Sequence, residues 1–135
     1  MDWFLIREIK SKEGKIHFRR YRLLATRWFN IYIHQICRSD REKHPHDHPW
    51  NFLTFILWRG YIEFTEKYPT GKDRKMFHMV YHEAEDIHQF ALKDESKSTW
   101  TLVFTGPRRR EWGYQTESGW FDNETYRILK EKNEL

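Results

Sequence analysis

A chain of 135 residues fits one domain, 1–135, around a single core. Its lone cysteine, Cys37, excludes an internal disulfide and points to a reducing cytosol; the start lacks the basic-then-apolar order of a secretory leader, and no apolar run approaches a membrane span. A formal charge of +4 with acids interspersed among the bases permits an anionic ligand and argues against nucleic acid as the partner.

Trp3 to Ile9 reads as a short strand, followed by a turn over Ser11 to Lys15 with Gly14 near its end. Ile16 to Leu24 alternates loosely, with Ile16 and Phe18 opposed to the basic positions, so Arg19, Arg20 and Arg22 are expected on a solvated strand face. Trp28 to Cys37 is a better strand, with Ile31, Ile33 and Gln35 on one side and Tyr32, His34 and Ile36 on the other. His34 is expected to be a hydrogen-bonded interior residue. A charged loop, Arg38 to Lys43, leads into His44-Pro45-His46-Asp47-His48-Pro49-Trp50.

Asn51 to Trp58 is almost continuously apolar and is expected to be a strand buried on both faces. Arg59-Gly60 can make a tight turn into the return strand Tyr61 to Glu66. After the turn Pro69 to Asp73 comes a strand over Arg74 to His82, a turn over Glu83 to Asp86, and a short strand over Ile87 to Leu92. Thr99 to Thr105 is the strongest β run, ended by Gly106-Pro107; Arg108-Arg109-Arg110 precedes a short strand over Glu111 to Tyr114. Asp122 can cap a helix over Asn123 to Lys132, with Glu124 in its first turn and Lys130 and Lys132 in its last. Short strands at this spacing, with turn residues between them, predict an all-β barrel or sandwich carrying a C-terminal helix.

The chemistry concentrates at the histidine-rich segment. An extended backbone sends alternate residues to one side, and each proline keeps the residue before it out of helical conformation. His44, His46 and His48 are therefore biased towards one face, and neutral imidazoles so placed are a half-site for a divalent metal. His88, which opens an apolar strand after a polar turn, is the best third imidazole; His78 and His82 have charged neighbours and are expected to face solvent. Asp47 should point away from its histidine neighbours and orient an imidazole from outside, while Asn51 is expected to hydrogen-bond in the interior. Of the arginine run, Arg110 shares a side with Arg108 and Trp112, and one of these guanidinium groups could reach an anion beside the metal.

His46-x-His48, a buried strand, Gly60 and a later lone His88 together resemble the cupin family. The wider run His46 to Trp50, with Trp100 to Gly106 and Glu111 to Tyr114, is similar to a group of short bacterial and phage cupins. The resemblance, over roughly Trp28 to Trp120, implies a double-stranded β-helix, or jelly-roll barrel, with a metal on His46, His48 and His88. The glutamate of the first family motif falls on Leu53, which cannot bind metal, so the implied site resembles that of three-histidine cupins, thiol dioxygenases among them. Iron(II) is the favoured ion for such chemistry, and imidazoles also accept zinc, nickel, manganese or copper. The expected function is a dioxygenase-like oxidoreductase acting on a small molecule, with Arg110, Trp112 and Asp47 as candidate residues around the ion. The alternatives are a binding module for a small anion such as a nucleotide or sugar phosphate, and a redox-inactive isomerase or lyase. A homodimer is what the family resemblance implies.

Overall fold

Aromatic and β-branched runs become strands wherever turn residues bracket them. The computed structural model describes residues 4–39 and 44–135; Trp3, expected to open the first strand, and residues 40–43 of the charged loop lie outside the described residues. In chain order the elements are β1 (Leu5–Lys10), β2 (Ile16–Ala25), β3 (Asn30–Ile36), β4 (Phe52–Trp58), β5 (Gly60–Thr65), β6 (Lys72–Lys75), β7 (Met79–His82), β8 (His88–Leu92), β9 (Thr99–Thr105), β10 (Gly113–Thr116), β11 (Gly119–Asp122) and α1 (Asn123–Glu131). A six-stranded sheet runs β1-β2-β3-β9-β4-β7, a three-stranded sheet runs β6-β5-β8, and β10 pairs with β11. Every pairing is antiparallel. No helix among the described residues is long and apolar enough to cross a membrane.

Strand β4 crosses from the large sheet to the smaller one, where it becomes β5, at Arg59-Gly60, both with positive φ (73° and 112°). A Cβ at Gly60 would lie 2.1 Å from the Arg74 carbonyl oxygen, so only glycine fits that corner. The two sheets meet through Ile36 and Ile56 from one and Tyr61 and Leu92 from the other; a second cluster of Tyr32, Phe52 and Val103 lies against Trp50. Asp122 caps α1, accepting from the Thr125 amide, and Tyr126 is the buried residue that docks the helix, stacking on Tyr114.

Two expectations about elements are corrected. The single strand over Arg74 to His82 is two strands in different sheets, broken where Phe77 takes a left-handed φ of 71° and its amide donates to the Ile56 carbonyl. The strand β4 is not buried on both faces: Phe52, Thr54 and Ile56 are buried, whereas Leu53, Phe55 and Leu57 are only partly covered. The same division runs through β9, whose interior residues are Thr99, Thr101, Val103 and Thr105. Small threonines face inward and Trp100, Leu102 and Phe104 face outward, which leaves room for a cavity inside the barrel.

Candidate metal centre

Extended geometry around Pro45 and Pro49 sets the parity of the histidine segment. His46 and His88 exchange both backbone hydrogen bonds, at 3.1 and 2.9 Å, so the two residues sit directly opposite one another. The His48 amide donates to the Ala84 carbonyl, and the Asp47 amide between them donates the other way, to the Gly113 carbonyl. The imidazoles of His46, His48 and His88 consequently form a triangle, with ring centroids 5.1, 4.9 and 4.8 Å apart. Each offers a ring nitrogen, all within 4.8 Å of one another.

These residues fit a divalent ion. Burial first, then the neighbouring His88 and His46 charges, holds the His48 pKa well below the ordinary imidazole value, and burial lowers His88 to about 4. Both rings are therefore neutral near pH 7, the form that binds metal. Nδ1 of His48 is buried without a hydrogen-bond partner, which is the condition of a donor atom reserved for a group outside the chain.

Glu63 supports His88 from behind. Its carboxylate is fully buried; Oε2 accepts from His88 Nδ1 at 2.6 Å and from His82 Nε2 at 2.7 Å, and Oε1 accepts from Arg74 Nε at 2.9 Å. Burial alone would raise its pKa, but the hydrogen bonds from His82 and His88 and their charges outweigh it and hold Glu63 well below the usual carboxylate range. An ionised Glu63 fixes the proton of His88 on Nδ1 and leaves Nε2 as the free lone pair, the arrangement by which carboxylates orient metal-binding histidines. Glu63, His82 and His88 could themselves gather an ion. Their contacts of 2.6–2.7 Å are, however, those of short charge-assisted hydrogen bonds, and Arg74 already balances the carboxylate.

Several expected roles change. His44 is turned away from the triangle, between the Tyr126 hydroxyl and Glu117, each 3.1 Å from a ring nitrogen. His82 is buried on Glu63 rather than facing solvent, whereas His78 is exposed as expected. Asn51 stays off the centre, accepting from the Ala84 amide and Arg109. Among the described residues Asp47 orients no imidazole; its oxygens accept from the Gly113 amide, the Trp120 indole and Arg110, and so tie the histidine segment to the β10–β11 hairpin. Arg110 is held by Asp47 and by the His48 carbonyl. Trp112 does face the cavity, its ring 6.4 Å from that of His46.

The cavity in front of the imidazoles measures about 810 Å³ and continues along the inner face of β2, β3 and β9, past His34 and Thr101. His34 accepts from Arg20 Nε at 3.0 Å. Burial, followed by the charges of Arg20 and Arg7, holds its pKa well below the ordinary imidazole value. Below about pH 6.5 the unfolded chain takes up a proton at this histidine that the fold refuses, so stability falls by about 1.4 kcal/mol per pH unit on this account. Urea melts at several pH values between 7.5 and 5 check this against His34→Gln, whose slope should be shallower by one proton; coincident slopes would refute it.

No family model matches the sequence, and no curated protein matches it. Solved structures do. A cupin-2 domain from Rhodospirillum rubrum superposes with a TM-score of 0.65 at 12% identity, over 92% of this chain and 82% of its own. The polyketide cyclase RemF from Streptomyces resistomycificus gives 0.64 at 16% identity, over 96% and 89%. FeII HppE gives 0.57 at 12% identity, over 78% and 58%.

Proposed function

We propose that this chain, which has the cupin fold of a double-stranded β-helix with a C-terminal helix, binds one divalent metal through His46, His48 and His88 and serves as a dioxygenase-like oxidoreductase for a small molecule. The observation that carries this reading is the triangle of imidazoles at the cavity wall, with the buried His48 Nδ1 left for an outside partner. A bound iron(II) ion would supply Lewis acidity and redox capacity at positions the protein leaves open. The iron in the similar fold of FeII HppE supports that choice of ion. Three neutral ligands leave the charge of the ion uncompensated, which favours an anionic substrate donor. Glu63 holds His88 in the ligating tautomer, and Trp112 and Tyr114 wall the space beside His46.

Elemental analysis of the purified protein tests the site. His46→Ala, His48→Ala and His88→Ala should each lose most of the metal, whereas exposed His78→Ala should keep it. Loss in His82→Ala with retention in His46→Ala would move the ion to the Glu63 side and overturn the assignment. Oxygen-electrode measurements with thiols and oxo-acids test the reaction class. A metal-loaded protein that consumes no oxygen with any of them would refute the oxidoreductase and favour a binding module.

A further inference from the structure

The three consecutive arginines are all neutralised: Arg108 by Glu111, Arg109 by Glu85 and Arg110 by Asp47. Among the described residues, positive charge without a carboxylate partner lies on the opposite strands of the barrel. Cα partners Arg7, Arg20, His34, Thr101 and Ile56 form one row across β1, β2, β3, β9 and β4, and the first four line the cavity. Parity thus turns Arg20 inward with Phe18, against the expectation of a solvated face, while Arg19 pairs with Glu8. The Arg20 guanidinium lies 5.0 Å from the centre of the Tyr32 ring and 5.7 Å from that of Phe18. Its Nε is fixed on His34, and among the described residues its two terminal nitrogens have no hydrogen-bond partner.

Arg7 stands directly opposite Arg20 on the neighbouring strand, a like-charge pairing that destabilises a sheet unless an anion lies between. Arg38 lines the same cavity, its terminal nitrogen 2.8 Å from the His17 ring and its buried Nε without a partner. Among the described residues none of these three arginines pairs with a carboxylate. Asp47 is the one acid in the cavity wall among those residues, and Arg110 holds it. Arg20 and His48 both line this cavity, so the two groups face a common space.

We propose that Arg20, with Arg7 and Arg38 beside it, is the receptor for the oxyanion head, carboxylate or phosphoryl, of a small organic ligand whose other end lies at the imidazole triangle. The anion half stands without any metal; only the placement of the ligand's far end rests on the metal-binding reading above. A planar guanidinium with both terminal nitrogens available matches two oxygens of either head group at once.

The test is a thermal-shift titration with inorganic phosphate and, separately, succinate, at a fixed ionic strength of about 0.15 M to hold screening constant. It is run on the protein as purified and again after chelation and dialysis. Wild type should be stabilised in a saturable way by at least one probe, before and after metal removal. Phosphate alone would mark a phosphoryl head, and succinate alone a carboxylate head. Arg20→Gln should weaken the apparent affinity about tenfold or more, Arg7→Gln should weaken it without lowering the melting temperature of the ligand-free protein, and exposed Arg127→Gln should change nothing. If Arg20→Gln melts without cooperativity, Arg7→Gln and Arg38→Gln carry the comparison. No saturable shift in wild type would overturn the proposal, as would equal affinity in wild type and the cavity variants or an equal loss in Arg127→Gln. Metal content in the Arg20 variant separates this outcome from failure of the metal centre, because the proposal requires it to stay at the wild-type level.

Discussion

Glu63→Gln is expected to lower metal affinity by about 10- to 100-fold and to destabilise the fold by about 3 kcal/mol. The substitution keeps shape and volume, so both effects isolate the charge and its acceptor geometry. One carboxylate oxygen accepts from His82 and His88 and the other from Arg74. An amide can present its oxygen to the two histidines only by turning its NH2 onto the Arg74 donor, or the reverse. Arg74, whose side chain is 17% exposed, then keeps a charge with little water and no partner. His88 loses the acceptor that holds its proton on Nδ1, and the tautomer with the proton on Nε2 competes with ligation. Chelator competition reads the affinity, and urea denaturation of the metal-free protein reads the stability. Unchanged metal affinity would refute the supporting role of Glu63 even if the fold were weakened.

The barrel was legible because strand and turn residues alternate at close intervals, and because two prolines and a period of two leave the histidine segment little choice of conformation. The side on which each strand lies was harder to read. In β9 and β5 the apolar residues Leu102, Phe104, Ile62 and Phe64 do not line the interior; threonines and Glu63 do, beside Val103 and Tyr61. A barrel that encloses a cavity needs small or polar side chains inside, and this inverts the usual association of burial with hydrophobicity. Nothing in the sequence sets Glu63 apart from the other carboxylates of the chain. Parity places it with Tyr61, but nothing local to β5 says which face is interior.

Arg20 was missed for a related reason. A run of arginines in an amphipathic strand reads as solvated, and only the partners His34 and Arg7, brought in by β3 and β1, show that one of them is inside. The Arg108 to Arg110 run is a block of charge in the sequence, yet its neutralising acids come from a distant turn, from the histidine segment and from three residues away in the chain. Pairing of charges across a fold is set by topology, and a linear charge count does not contain it. His44 shows the same limit: its parity matches His46 and His48, but Tyr126 from the C-terminal helix draws it to the other side.

Asp47→Ala should cost about 3 kcal/mol and reduce metal content together with stability, for a reason distinct from that at Glu63. Asp47 is 2% exposed and lies between His46 and His48 in the chain, with its carboxylate turned to the β10–β11 hairpin. Its oxygens receive the Gly113 amide at 2.7 Å, the Trp120 indole at 2.8 Å and Arg110 at 2.7 Å, so one side chain fastens the histidine segment to the hairpin that closes the cavity. Truncation leaves the buried Gly113 amide without its carboxylate and frees the backbone that sets the directions of His46 and His48. Removing the cation alone should matter less. Arg110→Gln leaves two donors on the carboxylate, and the lost guanidinium was 28% exposed, so a loss near 1 kcal/mol is expected. Urea melts of both variants, with metal analysis alongside, give the ranking. Equal losses would mean that the ion pair, not the backbone and indole donors, holds the segment in place, and the account of Asp47 as its fastening point would fail.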